Sequence, residues 1–432
     1  MESKNKKLSL EPYKGTRDFY PEDQFIQNYI FSVWRKTAES YGYLEYGASI
    51  LEEAALYKAK SGDEIVNEQT YTFIDRGERE VTIRPEMTPT VARMVAQKRK
   101  ELSFPLRWYS IPNLFRYERP QRGRLREHWQ FNADIFGVDS IDADVEIISL
   151  AYDTMKAFGA KDENFEIRIN SRKIIRMISK FHGLDEVQEY KFVRLLDKKE
   201  KLPAAEFKEK LTQIMGSAEK ADRFLEHIDY LDKNKLVAEF KKDPAATELA
   251  TLLVKLEQKG INNAKYNPTL ARGLDYYTGT VFEMYDTNPV NPRALFGGGR
   301  YDDLVGIFGV EKVSGIGFGW GDVTTRDFLE TYNLLPAYRS TADLYVCHTE
   351  GFLEQAEKLS ADLRKEGVNV AVDLTDRKIS AQVKTADKQK IPFVIVVGEE
   401  EVKNGKYKVK SLKQSKETEL AADKIPGFIK EN

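Results

Sequence analysis

The spacing of apolar residues changes period several times along the chain, and each change marks a predicted element. Behind a leading loop, Lys14-Gly-Thr-Arg-Asp-Phe-Tyr-Pro21, helical spacing runs over 23–41 with Asp23 as its expected cap. Residues 43–84 alternate short strand patterns with turns, and Tyr71-Thr-Phe-Ile-Asp before Arg76-Gly77 predicts a hairpin. Helical spacing returns over 88–97. Over 106–136 aromatic and charged residues alternate as in two strands joined by a loop. A helix over 142–158 and a strand over 165–170 follow.

The texture then shifts. Residues 171–262 carry charged helical patterns punctuated by Gly183, Pro203, Gly216 and Pro244, which predicts a helical insertion interrupting a sheet domain. Sheet pattern resumes at 280–285 and continues through Gly297-Gly-Gly-Arg-Tyr301 to Gly315-Ile-Gly-Phe-Gly319. A linker containing Pro336 spans 332–339. Beyond it, strands over 344–346, 368–372 and 393–397 alternate with helices over 351–366 and 379–390, implying a compact α/β domain with a mostly parallel sheet. Lysines between Lys403 and Lys416 flank an expected hairpin, favoured as a solvated edge strand. No period of 20–50 residues repeats, which excludes a solenoid.

Composition narrows the class. A chain of 432 residues, 41% apolar and 31% charged, can bury two or three cores. Its formal charge of −2 leaves nucleic-acid contact to local patches. One cysteine, Cys347, excludes an intrachain disulfide and fits a reducing cytosol; its strand setting favours core packing. The histidines, 128, 182, 227 and 348, lack paired metal-ligand spacing. No apolar run approaches the roughly 18 residues of a membrane span, and no signal-type core follows the lysine-rich segment 1–10, which is expected to fray. The sum predicts a soluble, cytoplasmic protein.

Two stretches carry the chemistry. Phe115-Arg-Tyr-Glu-Arg-Pro-Gln-Arg-Gly-Arg-Leu-Arg-Glu-His-Trp-Gln130 sets arginines at 116, 119, 122, 124 and 126 around a Pro-Gln-Arg-Gly turn, with Glu118 and Glu127 among them. Guanidinium groups pair bidentately with phosphate oxygens, so such a loop suits a polyanion. The second stretch is Arg272-Gly-Leu-Asp-Tyr-Tyr-Thr-Gly279. Taken singly, each has a plainer reading: an arginine hairpin as solvated surface, Tyr276-Tyr277 as core, Glu86 as a surface carboxylate, and His128 as packing.

Together with Arg84-Pro-Glu-Met-Thr88, Lys14-Gly-Thr-Arg-Asp-Phe19 and Gly297-Gly-Gly-Arg-Tyr-Asp-Asp303, these stretches resemble the histidyl-tRNA synthetase family of class II aminoacyl-tRNA synthetases. The likeness covers essentially the whole chain. It implies an α+β fold: an antiparallel-sheet class II catalytic domain over 1–335 with a helical insertion over 171–262, then a C-terminal α/β anticodon-binding domain over 341–432. It also implies a ligase that activates L-histidine with ATP and Mg²⁺, without a permanent cofactor, and charges histidine tRNA as a homodimer. The first step needs no general base, because the attacking carboxylate is already ionised. What it needs is cation around a crowded phosphorus.

Position by position, the resemblance makes Arg116 and Arg272 the catalytic arginines on the α-phosphate. Glu118, Arg124 and His128, with Arg116, would hold ATP. Glu86, Met87, Thr88 and Gln130 would surround the histidine backbone, Asp134 with Tyr277 its imidazole, and Tyr276 the pocket wall; both arginines also reach the amino acid. Gln121 and Arg122 would face the tRNA acceptor end. The glycines at 297–299, 315, 317 and 319 would let backbone approach ligand, or else mark bulges and turns.

Three positions depart from the family pattern. Thr324 stands where the third motif ordinarily ends in an adenine-stacking arginine, with Arg326 two residues on. His128 replaces a stacking phenylalanine, and Ser49 replaces the proline of the first motif, the expected dimer element over 42–53. A non-catalytic paralogue that binds histidine or tRNA is the rival reading. It is disfavoured because Arg116, Glu86 and Arg272 are all present alongside the C-terminal domain.

Overall fold

In the computed structural model, residues 8–58, 69–199 and 202–431 are described. The expected frayed start (1–7) and residues 59–68 of the 43–84 stretch lie outside them. The chain divides into two compact units, one of residues 1–20 and 27–335 and the other of residues 21–26 and 336–432.

The first unit is built on a nine-stranded sheet. Its centre runs Leu106–Ser110, Glu127–Phe136, Gly315–Gly321, Ala294–Arg300, Thr280–Asp286 and Phe165–Ser171, each antiparallel to the next. Strand alternation gives the two faces opposite characters. On one face Phe131, Ala133 and Ile135 meet Phe296, Phe318 and Trp320, all buried. Trp34 of the helix Pro21–Ser40 stacks on Phe131, and Phe296 stacks on Trp320 at 4.0 Å. Asp142–Ala157 and Asp322–Thr331 add helical cover to that side. The other face carries glycine and polar residues.

Helix Pro21–Ser40 starts two residues before the expected cap. Tyr20 occupies the cap position and Pro21 opens the first turn, where a missing N–H is tolerated; Asp23 sits inside that turn. Six helices between Arg172 and Gln258 leave the sheet after Phe165–Ser171. Asp185, Ser217, Asp232 and Asp243 cap four of them through their side chains. The chain then returns as Ala264–Tyr266, parallel to the strand it left.

The second unit holds a five-stranded sheet with Leu344–His348 between Val370–Val372 and Phe393–Val397, both parallel to it. Lys406–Ser411 and Lys416–Ala421 extend it as an antiparallel hairpin. Half the pairings are therefore antiparallel, where a mostly parallel sheet was expected, because the lysine-bearing hairpin forms the edge of this same sheet. Cys347 is buried in the central strand, and burial pushes its thiol up to about 12, so it is inert packing. Among the described residues no helix is long and apolar enough to cross a membrane.

Candidate active site

The polar face of the first sheet is a floor paved with glycine. Gly297 lies opposite Gly319 and Gly299 opposite Gly317, so register puts all four on that face. Asp134 pairs with Gly317 and Gln130 with Gly321, which adds both side chains to it. Each glycine is crossed by a side chain. A Cβ on Gly317 would fall 2.1 Å from Asp134 Oδ1, on Gly319 2.8 Å from Gln130, on Gly299 2.8 Å from the Tyr277 ring, and on Gly297 2.6 Å from Arg272 Nη1. Between backbone and side chain there is no room for a methyl. The glycines lie in unshifted register, so they are not bulges, and the space above them is taken by these side chains.

Arg272 rests on this floor against Glu283, which faces Gly297 from the neighbouring strand. Its Nη1 donates to Glu283 Oε1 at 2.6 Å. Glu283 is held in turn by the Tyr285 hydroxyl at 2.7 Å, and the Arg168 guanidinium lies 3.7 Å above the Tyr285 ring. Burial opposes the charge on Arg272, but Glu283 outweighs it and holds the guanidinium above its ordinary range. Burial raises the Tyr277 hydroxyl, with the Arg272 charge pulling the other way.

A connected path runs from Arg272 to Arg116. Tyr277 packs on Tyr276 with ring centroids 4.9 Å apart. The Tyr276 hydroxyl donates to Glu86 Oε2 at 3.0 Å, and Glu86 is 4% exposed. Arg116 Nε donates to the carbonyl of Pro85, next in the chain, at 2.9 Å. Met87 is buried at the cap of helix Thr88–Gln97, and Thr88 reaches Tyr276. A chain of neighbours through Tyr277, Tyr276 and the Pro85–Glu86 segment thus joins the two arginine stretches.

Asp134 is 3% exposed and accepts a short hydrogen bond from the Tyr301 hydroxyl. Burial lifts its carboxyl to about 7, with the Tyr301 bond pulling the other way. Burial, then the charges on Arg116 and Arg17, push His128 down to about 3, so its ring is neutral at physiological pH and adds no cation.

The arginine loop is folded inward at its tip. Arg124 Nη1 is 3.5 Å from Glu118, and Gln121 and Arg124 exchange backbone hydrogen bonds. Gln121 accepts from Arg293 and Arg122 donates to Asn291, both in the 287–293 connection. Arg126 is spent on structure, donating to Tyr13 and to the Glu118 carbonyl. So is Arg300, which turns to the other face and pairs with buried Asp144. Asp322, fully buried, ties the leading loop to the third motif by accepting from Arg17, Gln27 and the Trp129 N–H.

Glu283, Tyr301 and Arg293 were not singled out from sequence. The available signal was weak: Glu283 is the one charged residue inside an otherwise apolar strand, Val281-Phe-Glu-Met-Tyr285.

Comparison with known proteins agrees with this geometry. Residues 15–321 match the family model described as histidyl-tRNA synthetase, and 343–432 match the anticodon binding domain. A histidine–tRNA ligase from Leptospira biflexa is 42% identical over 422 residues, covering 95% of this chain and 94% of the relative. One from Thermoplasma volcanium is 36% identical over 98% of this chain and 99% of its own length. The crystal structure of histidyl-tRNA synthetase from Nostoc sp. PCC 7120 shares the fold with a TM-score of 0.83 at 24% identity, covering 98% of this chain and all of that one. The chain belongs to the histidyl-tRNA synthetase family, with a class II catalytic domain and an anticodon-binding domain.

Proposed function

We propose that this glycine floor joins the carboxylate of L-histidine to the α-phosphate of ATP, releasing pyrophosphate, and that the histidyl group then passes to the 3′ end of histidine tRNA. Family membership makes the chain an aminoacyl-tRNA synthetase; the roles of individual residues are our reading. Arg116 bridges the substrate carboxylate and the α-phosphate, while Arg272 meets that phosphate from the Glu283 side. Two fixed guanidinium groups draw the anions together and neutralise the charge that gathers on five-coordinate phosphorus. Glu118 meets the adenine amino group, and Arg124 the outer phosphates.

Glu86, Thr88 and Gln130 receive the α-amino group, and Met87 and Tyr276 wall the pocket. Asp134 and Tyr277 address the two imidazole nitrogens. The observation that carries this assignment is Asp134, a carboxylate almost without exposure lying over a glycine. An amino acid without a ring N–H would offer it nothing beyond the Tyr301 bond, and sites built to hydrogen-bond a substrate N–H discriminate by about 10⁴–10⁵.

Mg²⁺ enters as part of the nucleotide substrate, held chiefly by phosphate oxygens and water. Gln121 and Arg122 meet the acceptor end of the tRNA once the loop tip releases Arg293 and Asn291. The C-terminal unit grips the anticodon, and the helices over 172–258 contact the acceptor arm. Two copies pair through the first-motif region, where Leu44 and Leu51 are exposed at 67% and 44%. The cytoplasm, where charged tRNA is used, is the expected compartment.

The test is ATP–pyrophosphate exchange with each amino acid offered in turn. Histidine alone should support exchange. A different preferred amino acid would refute the pocket assignment.

A further inference from the structure

The position where a third nucleotide-binding arginine was expected holds Thr324, and nothing at that position can replace it. The Thr324 hydroxyl is occupied with the Leu295 and Gly321 carbonyls at 2.7 and 3.1 Å. Its methyl lies under the arginine loop, 3.5 Å from where a Gly123 Cβ would stand. Arg326 is paired with Glu330 at 2.9 Å, one helical turn along the same helix.

A different guanidinium stands beside the loop. Arg293 ends the connection from Thr280–Asp286 and directly precedes Ala294–Arg300, the strand that carries the glycine floor. The connection is braced by Asp286, which accepts from the Asn288 N–H at 2.7 Å, from the Asn291 amide at 2.7 Å and from the Tyr332 hydroxyl at 2.7 Å. Arg293 therefore projects from fixed backbone at both ends. Its Nη2 donates to Gln121 Oε1 at 3.0 Å, and Gln121 is the backbone partner of Arg124 across the loop.

The charges around the loop do not balance. Glu118 pairs with Arg124. Asp327 faces Arg122, whose charge opposes the effect of burial on its carboxyl. Among the described residues no ion pair includes Arg293, which has only a neutral amide. Burial and then the charge on Arg124 hold the Arg293 guanidinium below its ordinary range, with Glu118 acting in the opposite direction. Two guanidinium groups held in one field are relieved by an anion placed between them.

We propose that Arg293 is a second cation on the outer phosphates of ATP, opposite Arg124, supplying a guanidinium to the nucleotide where position 324 supplies none. This rests on the ATP-dependent reading of the site given above. The amide of Gln121 acts as a placeholder: it parks the guanidinium at the loop tip until a phosphate oxygen, a stronger acceptor, takes its place. The same exchange frees Gln121 once nucleotide is bound.

Histidine-dependent ATP–pyrophosphate exchange on the full-length chain tests this, with KM taken separately for ATP, pyrophosphate and histidine. R293A should raise KM for both ATP and pyrophosphate by roughly tenfold to a hundredfold, the weight of one or two charge-assisted hydrogen bonds. Its KM for histidine should stay unchanged, R293K should recover part of the loss, and R326A should match the parent. A merely structural Arg293 would lower kcat and disturb histidine binding as well, with R293K no better than R293A. That pattern, or parental KM values in R293A, would overturn the proposal. A parent chain that shows no histidine-dependent exchange would instead overturn the reaction assignment, and this proposal with it.

Discussion

Replacing Asp134 by Asn should make the protein more stable while making it a worse enzyme. Asp134 is 3% exposed, and burial raises its carboxyl from 3.8 to about 7. A folded-state pKa above the unfolded value means that the fold favours the protonated form and is burdened by the ionised one. The burden is absent below about pH 4, grows between pH 4 and 7, and is complete above 7. A shift of about three units at 1.36 kcal/mol each is about 4 kcal/mol. Asparagine keeps the shape, carries no charge, and its oxygen still accepts from Tyr301. Its buried NH₂ group is a donor the carboxylate did not have, and leaving a buried donor unmet takes back about 1–3 kcal/mol. The net expectation for D134N is a gain of about 1–3 kcal/mol at pH 8 that shrinks as pH falls, reaches zero between about pH 5 and 6, and becomes a loss of about 1–3 kcal/mol below about pH 4. Tryptophans 34, 108, 129 and 320 all lie in the first unit, so fluorescence during urea unfolding reports that unit alone. Exchange activity with histidine should fall by roughly tenfold to a hundredfold as the charge-assisted bond to imidazole is lost. A D134N chain that is less stable at pH 8, or whose stability difference from the parent ignores pH, would refute the reasoning.

Arg272→Ala should remove one preorganised donor at the α-phosphate and lower exchange by about 10²–10³; histidine binding by calorimetry should be largely retained, and near-parental exchange would exclude Arg272 from catalysis. Binding of tRNA should weaken steeply as salt rises, because it depends on counterion release from local basic patches; a flat filter-binding titration would argue against those patches. His182 is held below its ordinary range by burial and then by the His227 ring 2.8 Å away, with Glu239 opposing. Its fold therefore favours the neutral ring: that stability is complete above the unfolded pKa of about 6.5 and is lost as pH falls below it. Amide exchange in helix Arg172–Phe181 should speed up between pH 7 and 5 after correction for intrinsic rates, and H182Q should flatten that trend.

The architecture was largely legible because period and punctuation agree with it. The strand–helix alternation after Pro336 and the capped helices after Ser171 are visible as pattern, and the family resemblance follows from ordered motifs. What escaped depends on register or on distant partners. Glu283 looks like an ordinary solvent-facing residue until its strand is laid against Gly297, where Arg272 reaches it. Gln121 and Arg122 read as outward-facing residues of a surface loop. Their partners lie 172 and 169 positions away, beyond any local pattern. The Pro21 helix start was missed for a local reason. Asp23 is a good cap by type, but proline two residues earlier already supplies first-turn geometry. Thr324 shows the limit most sharply, since sequence reveals that an arginine is missing but not which guanidinium stands near the gap.

The arrangement of Arg272 decides between turnover and binding alone. On the proposed reading, a protein that only sensed histidine would need Asp134, Gln130, Glu86 and Tyr277 for the polar groups of the amino acid. Arg272 adds a fixed cation, which suits an oxyanion: the amino-acid carboxylate or a phosphate. Burial works against its charge, and it is kept only because Glu283 sits beside it at 2.6 Å. Glu283 has its own support in Tyr285, which lies under Arg168. Such layered support fixes the direction of one guanidinium while Glu283 occupies a single nitrogen, Nη1. A guanidinium carries five N–H donors in a fixed fork, so the remainder of the fork stays available to an oxyanion. In a binding protein, selection for stability would favour an apolar residue of similar volume in place of this pair. On the proposed reading, its presence over the same glycine floor as Asp134 and Gln130 is accounted for by an anion that must meet the amino acid there, as the α-phosphate of ATP does in the activation step.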